Sequence, residues 1–289
     1  MVTGRDGQVV RSLFARAASH PELEIVALGR PELDLADLAG IAPAIAASRP
    51  DILVSAAAYT AVDKAEDEPE LAHRINAEAA GELARAARAV GAPIIHLSTD
   101  YVFDGALDRP YIETDPTNPL GVYGRSKLDG EMAVRAAQPD HLILRTAWVY
   151  SPFGRNFVKT MLTLAETRNR LGVVDDQHGN PTSALDIADA ILRIAERWQS
   201  GARTYGAFHF TGSGETTWCG LAREVFRVSR ELDGPFAEVD AIPTAAYPTR
   251  ARRPANSRLD SSRFAAAFDH RAPAWQASVA ETVRQLLTR

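Results

Sequence analysis

The sequence predicts an α/β fold built on a doubly wound parallel sheet, with a smaller C-terminal lobe. Residues 24–28, 51–55, 93–97 and 141–145 are short apolar runs of the kind that parallel strands, buried on both faces, require. Alanine-rich segments such as 68–90, with apolar residues at helical spacing, separate these runs, and strands alternating with helices give βαβ units. After residue 150 the pattern loosens. Prolines and glycines recur there (Pro152, Gly154, Gly179, Pro181, Gly212, Gly214, Pro243, Pro248, Pro254) between helical patterns at 185–198 and 219–232, with one further strand at 204–211. The chain is thus read as a sheet domain over 1–150 and a loop-rich lobe over 151–289, some of whose segments can return to the sheet.

The first strand is the exception in length. Only Met1, Val2 and Thr3 precede Gly4, where an ordinary strand has about 5–6 residues. Either the strand is clipped or the true start lies a few codons upstream, and a clipped strand weakens the sheet where the next turn must work. That turn is Gly4-Arg5-Asp6-Gly7-Gln8-Val9-Val10, and it opens a helical pattern carried by Val9, Leu13 and Ala17. A helix N-terminus offers unpaired N–H groups and a positive dipole end to a pyrophosphate. Gly4 permits the tight turn and Gly7 lets phosphate approach the backbone, while Val10 replaces a third glycine and widens the helix-to-sheet packing. By spacing alone the two glycines suit a plain turn equally well. In a βαβ context they make the sheet Rossmann-type and the ligand a dinucleotide.

The second strand ends near Leu28, where an acidic residue would bind the ribose hydroxyls of NADH; Gly29 and Arg30 stand there instead. Together with Arg5 in the turn, Arg30 favours the 2′-phosphate of NADPH, with NADH and two merely solvated arginines as the alternatives. Asp34 and Leu35 are placed to meet the adenine edge, and Ala56, Ala57 and Ala58 are small enough to let the dinucleotide pass.

Catalytic candidates follow in the same order. Ser98-Thr99-Asp100 closes the 93–97 run, at the carboxyl end of a strand, where α/β sheets place their ligands. Tyr123 and Lys127, four apart at the start of a helical segment, share one face. A phenol with pKa near 10 needs a cation to act at neutral pH, and Lys127 is expected to supply it and to hold the nicotinamide ribose. Thr99 can donate a hydrogen bond to the oxygen being reduced. Y-x-x-x-K alone is a common surface helix turn; the strand-end Ser-Thr-Asp and the glycine turn make it specific.

Composition narrows the partners. With 46% hydrophobic and 24% charged residues and a net charge of −5, the chain reads as an ordinary globular protein without a nucleic-acid footprint. Its single cysteine, Cys219, excludes a disulfide framework and fits a reducing compartment. No apolar run approaches the roughly 20 residues that span a bilayer. The N-terminus shows no charged-then-apolar signal pattern, so a cytoplasmic protein is expected.

Longer segments carry a resemblance: G-x-x-G-Q-V at 4–9, A-A-A-Y-T-A-V-D-K-A-E at 56–66, S-T-D-Y-V-F-D-G at 98–105 and P-L-x-V-Y-G-x-S-K-L-x-G-E at 119–131. R-T-A-W-V-Y at 145–150, N-F-V-K-T-M at 156–161, D-D-Q-x-G-x-P-T at 175–182 and R-P-x-N-S-R-L at 253–259 extend it over essentially the whole chain. The chain resembles the dTDP-4-dehydrorhamnose reductases, a branch of the extended short-chain dehydrogenase/reductase superfamily. The resemblance implies that Tyr123 donates the proton, Lys127 supports it and Thr99 binds the carbonyl oxygen. It adds Gln8, Val9 and Tyr59 to the cofactor set. It places Asp100, Val102, Phe103, Trp148, Asn156, Gln177, Arg253, Asn256 and Ser257 with the sugar nucleotide. Some members bind a divalent ion through an acid in the first helix; residues 8–18 carry none, so no metal is expected. The implied reaction is NADPH-dependent reduction of the C4 ketone of a dTDP-sugar, with a homodimer left open.

Four other readings share the fold. A 4,6-dehydratase needs an acid pair after the threonine, and Tyr101 follows Asp100 instead. A C4 epimerase retains its cofactor and has a different glycine turn. A non-catalytic regulatory subunit has no need of Thr99, Tyr123 and Lys127, all of which are present. A related 4-ketoreductase with another C4 product would use the same residues.

Overall fold

A computed structural model describes residues 1–288. In chain order its strands are β1 (Val2–Thr3), β2 (Ala27–Leu28), β3 (Leu53–Ser55), β4 (Ile94–Thr99), β5 (His141–Thr146), β6 (Val149–Tyr150), β7 (Arg170–Val174), β8 (His178–Gly179), β9 (Thr182–Ser183), β10 (Gly206–His209), β11 (Thr216–Thr217) and β12 (Glu238–Ile242). The helices are α1 (Gln8–Arg16), α2 (Leu38–Ser48), α3 (Val62–Ala65), α4 (Pro69–His73), α5 (Ala79–Ala89), α6 (Val122–Ala137), α7 (Phe157–Ala165), α8 (Ala184–Gln199), α9 (Trp218–Glu231), α10 (Ser262–Phe268) and α11 (Trp275–Leu287).

Six strands form one parallel sheet in the order β10-β5-β4-β3-β1-β2. All six residues of β4 are buried, as a strand covered on both faces must be. On one face α1 and α8 bring Val10, Leu13, Ile187, Ile191 and Trp198 onto Val2, Leu144 and Phe208. On the other, α2, α5 and α6 bury Ile41, Ile45, Leu83, Ala87 and Val134 against Leu53 and Ile94. Helices on both faces make the sheet doubly wound, as the alternating pattern requires.

The short first strand lies inside the sheet, between β3 and β2. Val2 pairs with Ala27 on one side and Val54 on the other. The Met1 ammonium donates to the Ile52 carbonyl at 2.9 Å, and Thr3 Oγ1 accepts from the amides of Ala56 and Ala57, both at 3.0 Å. A two-residue strand can pair with only two, which is why β2 covers 27–28 and not the whole apolar run at 24–28. Val10, standing where a third glycine was sought, is core.

The 68–90 segment is helical throughout but not uniform. Between α4 and α5 the residues Arg74–Glu78 form one wider π-helical turn, a local irregularity often found at functional sites. Beyond residue 150 the lobe has its own core, where α7, α9 and α11 bury Val158, Leu221, Val225, Phe226, Val279 and Val283. Two small parallel pairs, β6–β9 and β7–β12, frame it. The predicted strand at 204–211 appears as β10, and it joins the main sheet beside β5.

Candidate active site

A cleft of about 750 Å³ opens at the carboxyl ends of the parallel strands, between sheet and lobe. Its floor is the glycine turn. Gly4 takes φ +96°, a left-handed conformation that disfavours a side chain. Gly7 precedes α1 with open space where a Cβ would point, and no side chain caps the first turn of α1. Amides without acceptors at a helix start, beside the small walls of Ala56, Ala57 and Ala58, suit a pyrophosphate. Gln8 and Val9 line the cleft as well.

An adjoining crevice of about 450 Å³ is lined by Arg5, Gly29, Arg30, Asp34, Leu35 and the Ala57–Ala58 backbone, the surroundings an adenosine would meet. Arg5 is not free there: it forms an ion pair with Glu32 at 2.6 Å, a partner the sequence reading did not weigh. Arg30 is exposed, and Asp34 caps the Ala36 amide at 2.9 Å. Tyr59 lies outside the lining, its hydroxyl donating to Glu68 at 2.8 Å. These residues fit a dinucleotide.

At the other end of the cleft Thr99, Asp100, Tyr123 and Lys127 converge. Thr99 Oγ1 donates to Asp100 Oδ1 at 2.9 Å and accepts from the Tyr101 amide at 3.2 Å. Burial pushes the Tyr123 phenol up to about 12; the Asp100 charge adds to this and the Thr99 hydrogen bond opposes it. Asp100 is 2% exposed, and burial raises its carboxyl to about 6 against hydrogen bonds from Ser257 and Thr99. Its second oxygen, Oδ2, has no partner among the described residues.

Lys127 lines the same end of the cleft. Its ammonium donates to the Leu97 carbonyl at 2.6 Å, and burial lowers it to about 8, with the Glu131 charge pulling the other way. Burial and the Asp100 charge together raise Tyr123. Spacing four apart puts two residues on one helix face without fixing where the longer side chain ends. Tyr123 is therefore held as a neutral phenol, the form a proton donor needs.

Behind the cleft lies a buried polar network. Glu131 is fully buried and takes Arg145 in two hydrogen bonds, at 2.8 and 2.7 Å. It also accepts from Ser98 at 2.6 Å and Arg135 at 2.9 Å. Glu131 thus ties β4 to β5 one residue before Thr99 and Thr146. Asn76, in the π turn, accepts from the Tyr59 amide at 2.8 Å and donates to the Tyr59 carbonyl and Ser126 Oγ, both at 3.0 Å. Ser126 in turn donates to the Tyr123 carbonyl at 2.8 Å.

The remaining sequence candidates divide. Trp148, held at φ +49°, stacks on Trp218 with centroids 3.7 Å apart, and Phe157 leans on Trp218 at 4.8 Å, so three aromatic rings wall the cleft. A Cβ at Gly179 would collide with the Trp148 indole. Trp218 escaped the sequence reading; its Nε1 donates to Gln177 Oε1 at 3.2 Å, while Gln177 Nε2 donates to Thr244 at 3.0 Å. Arg253 forms an ion pair with Asp63 at 2.8 Å, which joins the 56–66 and 253–259 motifs. Asn256 holds the carbonyls of Leu107 and Arg109 at 2.7 and 2.8 Å. The side chains of Val102 and Phe103 lie in a small core with Tyr111, Ala147 and Leu259, and not on the cleft. Asn156 caps α7 through Lys159 N and spends its amide on Gln8, Ser151 and Phe153.

The family profile described as RmlD substrate binding domain matches residues 1–288. A dTDP-4-dehydrorhamnose reductase of Sinorhizobium fredii is 52% identical over 288 residues, covering 99% of this chain and 97% of that protein. The enzyme of that name from Escherichia coli K12 is 47% identical over 257 residues, or 88% and 86% of the two chains. A crystal structure of a dTDP-4-dehydrorhamnose reductase from Clostridium acetobutylicum superposes with a TM-score of 0.91 at 36% identity, covering 99% and 98%. The Bacillus anthracis enzyme, solved in complex with NADP, gives 0.89 at 31% identity, covering 98% of each chain. Likeness of this extent, over a sheet and cleft of this construction, settles descent: the chain belongs to the dTDP-4-dehydrorhamnose reductase family.

Proposed function

We propose that this protein reduces the C4 ketone of dTDP-4-dehydrorhamnose to dTDP-L-rhamnose with NADPH. The observation that carries the catalytic roles is the convergence of Tyr123, Thr99 and Asp100 at one end of the cleft, with Thr99 hydrogen-bonded to Asp100 and Lys127 beside them. NADPH, when bound, supplies the hydride that reaches C4. The turn at Gly4 and Gly7, the first amides of α1, and Ala56–Ala58 would hold its pyrophosphate; Arg5, Arg30, Asp34 and Leu35 would surround its adenosine end.

The side chains then act on the ketone oxygen. Thr99, its hydroxyl proton turned from Asp100 to the ketone, and Tyr123 polarise it by hydrogen bonding, and Tyr123, kept protonated by burial, gives its proton to the emerging alkoxide. Lys127 holds the nicotinamide ribose with its ammonium. Asp100 takes a sugar hydroxyl on its free oxygen, and the Trp148–Trp218 pair packs on the substrate. The two halves of this work follow the division at residue 150: cofactor on 1–150, sugar nucleotide against the lobe from 151 onward. No helix among the described residues is long and apolar enough to cross a membrane, and we place the reaction in the cytoplasm. Two copies of the chain acting as a dimer fit this reading.

The test is oxidation of NADPH by purified protein with dTDP-4-dehydrorhamnose, followed by NMR of the product. A rhamnose product supports the reading, a 6-deoxy-talose product redirects the stereochemistry, and absence of oxidation favours a binding role.

A further inference from the structure

The proposed reaction brings two diphosphates to one cleft, and the cleft is short of positive charge. Its lining carries two cations, Lys127 and Arg155, against two carboxylates, Asp6 and Asp100. Lys127 is 4% exposed and its ammonium, which donates to the Leu97 carbonyl, lies at the catalytic end. Arg155 is exposed at the cleft wall, and its side chain makes no hydrogen bond or ion pair among the described residues.

Its backbone, by contrast, is fixed. The loop that carries it is stitched to the entry of α1: Gln8 Oε1 accepts from Ser151 Oγ at 2.8 Å and from Asn156 Nδ2 at 3.0 Å. The Asn156 amide also closes the loop on the carbonyls of Ser151 and Phe153, at 2.8 and 3.2 Å. From the helix side, the Arg11 guanidinium lies 4.6 Å from the Phe153 ring centre. A loop held against Gln8 thus carries one unpaired guanidinium on the same cleft as the amides that suit a pyrophosphate. Planar guanidinium matches phosphate oxygens in a two-pronged geometry, and a fixed attachment point lowers the ordering cost of the bond.

We propose that Arg155 is a phosphate-recognition residue of this cleft, closing on the diphosphate of a bound nucleotide. The chemistry is shared by the cofactor's pyrophosphate and the sugar nucleotide's diphosphate, so the experiment has two arms. Full-length wild type, Arg155→Ala and Arg155→Lys are titrated at equilibrium with NADP⁺ and, separately, with dTDP, each at low and high salt. Arg168→Ala, which removes an exposed arginine beyond the end of α7, controls for overall charge.

A charge-assisted hydrogen bond lost in Arg155→Ala raises the dissociation constant about 10- to 100-fold and flattens its salt dependence, with Arg155→Lys intermediate. Weakening confined to NADP⁺ assigns the cofactor's diphosphate; weakening confined to dTDP assigns the substrate's. If neither constant moves beyond about twofold, or if Arg168→Ala moves them as much, the proposal falls. The inference rests on the reductase reading, but the two can fail separately. Wild type that binds both nucleotides without oxidising NADPH defeats the reading and leaves the Arg155 titrations decisive.

Discussion

Asp100 supports a quantitative prediction, because its burial has a stability cost that one substitution removes. The carboxyl is 2% exposed and rises from 3.8 to about 6 on folding, chiefly through loss of water. A carboxylate whose pKa is raised in the folded state binds more protons there, so stability is favoured below pH 4 and eroded as pH climbs through 6. A shift of about two pKa units corresponds to about 3 kcal/mol of penalty at pH 7, and roughly half of that at pH 5. Asp100→Asn keeps an oxygen for the Thr99 donor but sets an amide where Oδ2 has no partner, which returns about 1–2 kcal/mol of the gain. The variant is expected to melt roughly 2–6 °C higher than wild type at pH 7, and this advantage is expected to shrink by pH 5. Thermal melts of both proteins without ligand, from pH 5 to 8, measure it. Its kcat/KM is expected to fall about 10- to 100-fold with the lost charged hydrogen bond. An Asp100→Asn protein that melts below wild type at pH 7, or whose advantage ignores pH, refutes the reasoning.

Tyr123→Phe should lower kcat by about 100-fold or more while leaving the circular dichroism spectrum intact; near-full turnover would remove Tyr123 from the proton-donor role. Lys127, lowered to about 8, loses its charge as pH rises through that value, so kcat/KM for NADPH should decline above pH 8. A profile flat well beyond that range would count against a charged Lys127 at the ribose. Glu131→Gln strips the buried Arg145 of its countercharge and should cost about 3–5 kcal/mol in a denaturant titration. The double variant Glu131→Gln with Arg145→Met should recover much of that loss, and equal destabilisation of the two would show that the charge pairing is not the cause.

What could be read from the sequence was what is local or repeats along one element. The apolar runs of β4 and β5 announce themselves because every residue is covered, and Tyr123 and Lys127 are visible because a helix brings positions four apart together. The pairs β6–β9 and β7–β12 left little trace, since Glu238–Ile242 is half exposed and shows no clean alternation. Trp218 became part of the cleft wall only by meeting Trp148 from a helix 70 positions along, a relation no motif encodes. Glu131 and Arg145 close one motif and open the next, and only the fold shows that they pair in the interior. Spacing four apart likewise says nothing of the Leu97 carbonyl, which takes a hydrogen bond from the Lys127 ammonium. Asn76 sits in an alanine-rich helix where nothing in the spacing distinguishes it from its neighbours.

The placement of β10 bears on how the chain comes into being. Its pairing with β5 joins 206–209 to 142–145, so the outer edge of the sheet is written well after its interior. Synthesis at about 5–20 residues per second leaves roughly 3–13 seconds between the emergence of β5 and that of its outer neighbour. During that interval β5 presents open hydrogen-bonding groups, with Leu142 and Leu144 still lacking Phe208 and the later α8 in the core they share. A ribosome paused after residue 150 would therefore hold a nascent sheet whose exposed border is its most adhesive part. The order in which the message is read makes the second half of the chain the guardian of the first.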